Sequence, residues 1–97
     1  MIVQRITITP KSGQMAAYLE WVKKHAGQWP KVTHRWYNPI SGRNDVVVFE
    51  MEFADWAARE KWFKDWGAYW AHTLPPEERI DFIDHYSNEF YQILELG

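Results

Sequence analysis

The chain has 97 residues, of which 46% are hydrophobic and 25% are charged, and this length and composition predict one compact domain spanning residues 1–97. Its 11 basic and 13 acidic residues give a net charge of −2, so nothing in the charge balance indicates binding to nucleic acid or to an anionic membrane. The chain contains no cysteine, and a domain this small buries a modest share of its surface without disulfides, so we expect it to associate with a second copy of itself.

No apolar run approaches the roughly 18 residues of a membrane span, and residues 1–5 lack a basic segment followed by an apolar core. We therefore expect a cytoplasmic protein. Aromatic residues are abundant, with 7 Trp, 5 Tyr and 5 Phe. Much of the buried surface must therefore come from rings.

The first half of the chain predicts a strand, a helix and a hairpin. Residues 2–9 alternate between two faces, which is the period of a strand. Apolar residues then recur at the helical spacing over residues 15–26, until Gly27 supplies a C-terminal stop. Residues 32–38 and 45–53 are rich in β-branched and aromatic side chains and flank a turn-forming stretch, which predicts a second and a third strand.

The second half predicts a helix with a wide aromatic face and a last strand. Asp55 suits the N-cap of a helix that begins near Trp56. The aromatic residues that share one arc of this helix are Trp56, Trp62, Phe63, Trp66, Tyr69 and Trp70. A proline pair ends it, a short third helical turn begins near Pro76, and residues 87–96 alternate as the last strand.

This β-α-β-β-α-β order predicts the ferredoxin-like plait, an α+β fold in which a four-stranded antiparallel sheet carries both long helices on one face. The other face is left uncovered. Strand alternation places Val3, Val46 and Val48 on it beside the charged Arg5 and Glu50. Such a mixed face suits a partner sheet or a ligand cavity better than open water, so we predict a homodimer that forms through this face.

Four segments carry a family resemblance that covers the whole chain. They are the opening Met1-Ile2-Val3 strand with its Pro10-Lys11-Ser12-Gly13 end, the Phe53-Ala54-Asp55-Trp56 transition, the Trp-rich second helix, and the closing Ser87-Asn88-Glu89-Phe90-Tyr91 strand. In these the chain resembles the dimeric α+β barrel superfamily, and within it the NIPSNAP-like branch. The resemblance implies that two ferredoxin-like sheets close face to face as an α+β barrel. None of the segments is a catalytic signature, and the superfamily includes haem-degrading and cofactor-free monooxygenases, so function stays open.

The predicted ligand pocket lies between the sheet and the second helix. We expect some of Trp36, Trp62, Trp66 and Tyr91 to form its walls, and Arg5, His34 and Glu50 to supply its polar groups. The register of the second strand is left open, because its odd positions would present Arg35 and Tyr37 to the cavity and its even positions His34 and Trp36. A competing interpretation makes Arg5 and Glu50 an ion pair within the dimer interface.

No histidine pair has the short spacing of a zinc or iron site, so we predict neither a metal centre nor a cofactor. Haem is the alternative that the resemblance implies, since haem-degrading relatives use an Asn on the first strand with a Trp and a haem-ligating His on or near the second helix. Trp62 or Trp66 with His72 would supply the last two, whereas the first strand contains no Asn. His25 near the end of the first helix and His85 in the connection before the last strand are expected to be structural.

We predict a homodimer that binds a small ligand of aromatic or anionic character in the cavity at the sheet face. A cofactor-independent or haem-dependent monooxygenase is the first alternative, and a structural dimer with a filled barrel is the second. The chain has no cysteine nucleophile, no Gly-x-Ser-x-Gly elbow, no P-loop and no dinucleotide fingerprint. The sequence leaves open whether the protein is an enzyme.

Overall fold

The computed structural model describes residues 1–97 and confirms the β-α-β-β-α-β order. The strands are β1 (Ile2–Pro10), β2 (Thr33–Tyr37), β3 (Val47–Phe53) and β4 (Ile83–Gln92). The helices are α1 (Met15–His25) and α2 (Trp56–Ala68). All neighbouring strands are antiparallel and lie in the order β2-β3-β1-β4. This is the predicted ferredoxin-like plait.

Helix α2 begins at the N-cap that the sequence predicts. The Asp55 carboxylate accepts a hydrogen bond from the Ala58 backbone N–H at 2.8 Å and so caps the first turn. Beyond α2 the helix continues as one π-helical turn, Tyr69–Thr73, and the third helical turn is a 3-10 turn at Pro76–Glu78. Neither α1 nor α2 is long and apolar enough to cross a membrane.

The last strand lies four residues earlier than its predicted position, residues 87–96. It pairs with β1 from Pro10 opposite Ile83 to Ile2 opposite Gln92. Its pairing with β1 ends there, followed by one further hydrogen bond from the Ile93 N–H to the Met1 carbonyl at 3.2 Å, although the alternation of its sequence continues. His85 therefore lies within β4, opposite Thr9, and not in a connection as predicted.

The pairing register settles which side chains share a face. Arg35 lies opposite Glu50, and Glu50 lies opposite Arg5, so the odd positions of β2 share the face that carries this charged pair. His34 and Trp36 consequently point to the other side. We call the side that packs on α1 and α2 the helix-covered face and the side that carries Arg5 and Glu50 the open face.

Rings dominate the core between the helix-covered face and the helices. Met51 of β3 is fully buried, and the rings of Tyr18, Trp21 and Trp62 from the two helices pack with it in one hydrophobic cluster. Tyr18 also meets the Phe82 ring edge-on, with the ring centroids 5.8 Å apart. Large flat side chains therefore separate the helices from the sheet.

Burial of Tyr18 predicts a loss of stability at high pH. Its side chain is 5% exposed, and burial raises its pKa from 10.0 to about 12. The folded state disfavours the phenolate, so this contribution to stability is complete below pH 10 and is lost as the pH rises toward 12.

We expect the free energy of unfolding of the wild-type protein to fall by about 2 kcal/mol more than that of Tyr18→Phe between pH 10 and pH 12, since each pKa unit corresponds to about 1.4 kcal/mol. Urea unfolding of both proteins across this range measures the difference. Parallel pH profiles would show that the Tyr18 hydroxyl ionises as freely in the folded chain as in the unfolded one.

Candidate functional site

A cavity of about 460 Å³ lies between the helix-covered face and the helices. Twelve of its fifteen lining residues are hydrophobic, and the three polar ones are Gln4, Arg59 and Asn88. This volume is within the range of small-molecule sites, about 300 to 1,000 Å³, and a mainly apolar lining with a few polar groups is typical of them. We call this space the central cavity.

Flat rings form the walls of the central cavity. On the sheet side, Trp36 of β2 stacks on Phe49 of β3, with the ring centroids 4.2 Å apart. Trp29 stands edge-on to Phe49 at 6.1 Å and edge-on to Trp66 of α2 at 6.3 Å. Trp29 thus links the sheet wall to the helix wall, and the walls present planar surfaces that suit a planar ligand.

The polar residues of the central cavity form one connected group. Arg59 of α2 donates from Nε to Oε1 of Gln4 at 2.8 Å, and Gln4 donates from Nε2 to Oδ1 of Asn88, also at 2.8 Å. Gln4 is 1% exposed, so its amide depends on these two partners. We call Gln4, Arg59 and Asn88 the Arg59 cluster.

Three of the seven predicted site residues line the central cavity: Trp36, Trp62 and Trp66. Trp62 is also anchored by its indole N–H, which donates to the Pro30 carbonyl at 2.9 Å. His34 lies on the helix-covered face but is exposed on the edge strand β2. It contacts the Val32 carbonyl through Nδ1 at 2.9 Å and does not line the cavity.

The other three predicted site residues lie on the open face. Arg5 and Glu50 form an ion pair at 2.7 Å, as the competing interpretation holds, and the Arg5 guanidinium lies 5.2 Å from the centre of the Tyr91 ring. The structure therefore does not bring Arg5, Glu50 and Tyr91 into the central cavity with the tryptophans. Arg35 is the cross-strand neighbour of Glu50 and shares its face. Consecutive strand residues point to opposite sides, so Trp36 lies on the other face.

The sequence interpretation missed the Arg59 cluster, although two signals pointed to it. Gln4 is the only polar residue among the even positions Ile2, Gln4, Ile6 and Ile8 of β1. Arg59 interrupts the aromatic face of α2, three residues after Trp56 and three before Trp62. A polar residue within an apolar face indicates either a satisfied core contact or a site, and here Gln4 and Arg59 are hydrogen-bonded to each other and line the central cavity.

A second cavity of about 280 Å³ adjoins the central one, sharing Tyr18, Trp29, Trp66 and Ile83 with it. Three buried polar atoms in this region have no hydrogen-bond partner: Nε1 of Trp29, the hydroxyl of Tyr69 and Nε of Arg79. Burial raises the pKa of Tyr69, and the nearby Trp29 indole opposes the rise without completing a hydrogen bond of standard geometry. Trp29 therefore stands between two cavities with an unsatisfied N–H.

The residues present do not fit a histidine-ligated haem in the central cavity. No histidine lines it. His25 is buried against Glu78, His72 is exposed on the π-helical turn, and His85 lies beside Thr9. The chain contains no group of three His, Cys, Asp or Glu side chains that could hold a metal ion. Trp62 and Trp66 thus reach the cavity without the His that the haem alternative requires.

No protein-family model and no curated protein matches the sequence of this chain. Solved structures match its fold. An uncharacterized NIPSNAP domain protein from Burkholderia xenovorans superposes with a TM-score of 0.74 at 16% identity, covering 100% of this chain and 98% of that one. A NIPSNAP family protein with unknown function from Agrobacterium tumefaciens gives a TM-score of 0.78 at 17% identity, with coverage of 100% and 91%.

A substituted form of MhuD, solved with two manganese protoporphyrin IX molecules bound per active site, gives a TM-score of 0.69 at 16% identity and covers 100% of this chain and 99% of that one. At these identities the matches establish the fold. The chain therefore has the ferredoxin-like fold of the NIPSNAP domain proteins, which confirms at the level of the fold the resemblance carried by its sequence.

Proposed function

We propose that this protein binds a planar, largely apolar small molecule in the central cavity. The observation that carries the proposal is a cavity of about 460 Å³ walled by flat rings from both the sheet and the helices. The apolar side chains that line this space are partly open to solvent on the side of Tyr86 and Asn88, so an apolar ligand that covers them would remove their surface from water.

The shape of the walls supports a planar ligand. Trp36 and Phe49 stack with their planes 24° apart, and Trp66 of the helix wall stands at 84° to Trp29. Rings in this arrangement offer faces on which another aromatic system can stack or stand edge-on. The MhuD structure with the same fold holds a planar tetrapyrrole, manganese protoporphyrin IX, in its active site, and this supports the same class of shape here.

The cavity supports binding better than proton-transfer catalysis. Its lining contains no carboxylate, imidazole or thiol, which are the usual groups that exchange protons near neutral pH. Tyr18 also lines it, but burial raises the pKa of this phenol to about 12, so it stays protonated at neutral pH. The amides of Gln4 and Asn88 do not titrate at all. These groups can orient a ligand but cannot act as a general base.

A residue at the centre of the sheet wall gives a direct test. Ile6 lines the central cavity, and Ile6→Trp would place an indole in the space that the ligand needs. We expect the neutral dye N-phenyl-1-naphthylamine to fluoresce when bound to the wild-type protein and to quench its tryptophan emission. Ile6→Trp should weaken this binding by about 10-fold or more.

The control is Ile6→Val, which keeps the space open and should bind the dye within about 2-fold of the wild-type affinity. Circular dichroism reports whether each variant is folded. Unchanged dye affinity in a folded Ile6→Trp protein would place the dye outside the central cavity and contradict the proposal.

We also propose that two copies of the chain associate through the open face. Neither helix covers this face, on which the half-buried Val48 lies beside the exposed rings of Tyr37 and Tyr91. Arg5 on this face is already paired, since it binds Glu50, whose side chain is 15% exposed. A paired charge is far less costly to bury in an interface than a single one, so a second copy of the same face is a suitable partner.

We expect light scattering at micromolar concentration to give about twice the chain mass of 11.7 kDa. Val48→Glu adds a carboxylate to the middle of the open face and should produce a monomer, whereas Ile40→Glu in the exposed hairpin loop should not. The central cavity is formed by one chain, so the Val48→Glu monomer should still bind N-phenyl-1-naphthylamine. A wild-type mass near 11.7 kDa would contradict the proposed dimer.

A further inference from the structure

Arg59 is the one charged residue that lines the central cavity, and it has no carboxylate partner. Every salt bridge in the chain joins other residues; Arg5 binds Glu50, for example, and Arg43 binds Asp45. A guanidinium stays charged at all ordinary pH values, and a half-buried one without a counterion leaves its charge available to a ligand.

The surroundings of Arg59 hold its guanidinium in one place. Its Nε–H is used by Gln4, which is itself fixed by Asn88. Two aromatic rings lie against the guanidinium. Its central carbon is 4.6 Å from the centre of the Phe63 ring and 5.2 Å from the centre of the Phe90 ring. The four N–H groups on the two terminal nitrogens have no hydrogen-bond acceptor within the protein.

A fixed guanidinium with free terminal N–H groups has the geometry that binds a carboxylate or sulfonate through two parallel hydrogen bonds. We infer that Arg59 selects ligands in which an anionic group is attached to the planar ring system, and that Gln4 and Asn88 act as positioning residues for it. This inference rests on the proposed function, because the rings of the ligand must occupy the central cavity for its anionic group to reach Arg59.

The assignment moves anion recognition away from Arg5, the residue that the sequence favoured. Arg5 lies on the open face, where its Nη2 and Nε donate to Oε2 of Glu50 at 2.7 and 3.1 Å. A ligand anion would have to compete with a carboxylate that is already bound there. Arg59 presents no such competition.

A matched pair of dyes tests the inference. 8-Anilino-1-naphthalenesulfonate and N-phenyl-1-naphthylamine share their rings and differ by one sulfonate. We expect Arg59→Gln to weaken sulfonate-dye binding by about 10-fold to 100-fold, the usual loss for one charge-assisted hydrogen-bonded contact, and to leave the neutral dye within about 2-fold. Lys64→Gln removes a positive charge from an exposed position on the same helix and should change neither affinity.

A second variant removes the free charge without removing Arg59. Gln4→Glu has nearly the same shape and places a carboxylate against Arg59 Nε, while Asn88 can rotate its amide to donate to the new oxygen. We expect this internal anion to occupy the guanidinium and to weaken sulfonate-dye binding selectively. Unchanged sulfonate-dye affinity in both folded variants would overturn the inference while leaving the proposed function intact.

Competition on the unaltered protein covers the case in which both variants fail to fold. We expect 2-naphthoate to displace the neutral dye at a concentration at least about 10-fold lower than its methyl ester does. Equal displacement by acid and ester would overturn the role of Arg59 but not the cavity. Failure of the wild-type protein to bind either dye would overturn both the inference and the proposed function.

Discussion

Rigid aromatic rings, packed where smaller aliphatic side chains would interdigitate, are the constraint on which the rest of this structure depends. Trp29 stands edge-on between Phe49 of the sheet and Trp66 of α2, and its bulk separates the two layers. Flat rings pack with specific geometries and do not deform to fill irregular space as aliphatic chains do. The central cavity is a consequence of this packing, and its shape follows from the planes of the rings that bound it.

Strand alternation then divides the chemistry of the protein into two independent surfaces. On β1, Gln4 points into the central cavity and belongs to the Arg59 cluster, whereas its neighbour Arg5 points to the open face and binds Glu50. Arg59 therefore has no counterion beside the central cavity, whereas Arg5 is neutralised by Glu50 on the opposite side of the sheet. The proposed ligand binding and the proposed self-association therefore involve opposite faces of the sheet, although adjacent residues of one strand contribute to each.

The sequence predicted the elements better than the site, because each element depends on local pattern and the site depends on register. The Asp55 cap, the aromatic face of α2 and the plait order were all legible locally. The limits of β4 were not legible in the local sequence, because they depend on its pairing with β1. The register of β2 on β3 decides on which face of the sheet Trp36 lies. In the Arg59 cluster, the two hydrogen bonds join residues that are separated by 55 and by 84 positions in the chain, and a local sequence pattern cannot show such contacts.

The central claim is that the cavity between the helix-covered face and the helices holds a planar ligand whose anionic group binds Arg59. A crystal structure of the protein with 8-anilino-1-naphthalenesulfonate tests it most directly. The account predicts that the dye rings lie between Trp36 and Trp66 and that the sulfonate accepts hydrogen bonds from the terminal nitrogens of Arg59. A dye found on the open face beside Arg5 and Tyr91, with the central cavity closed around its own side chains, would contradict it.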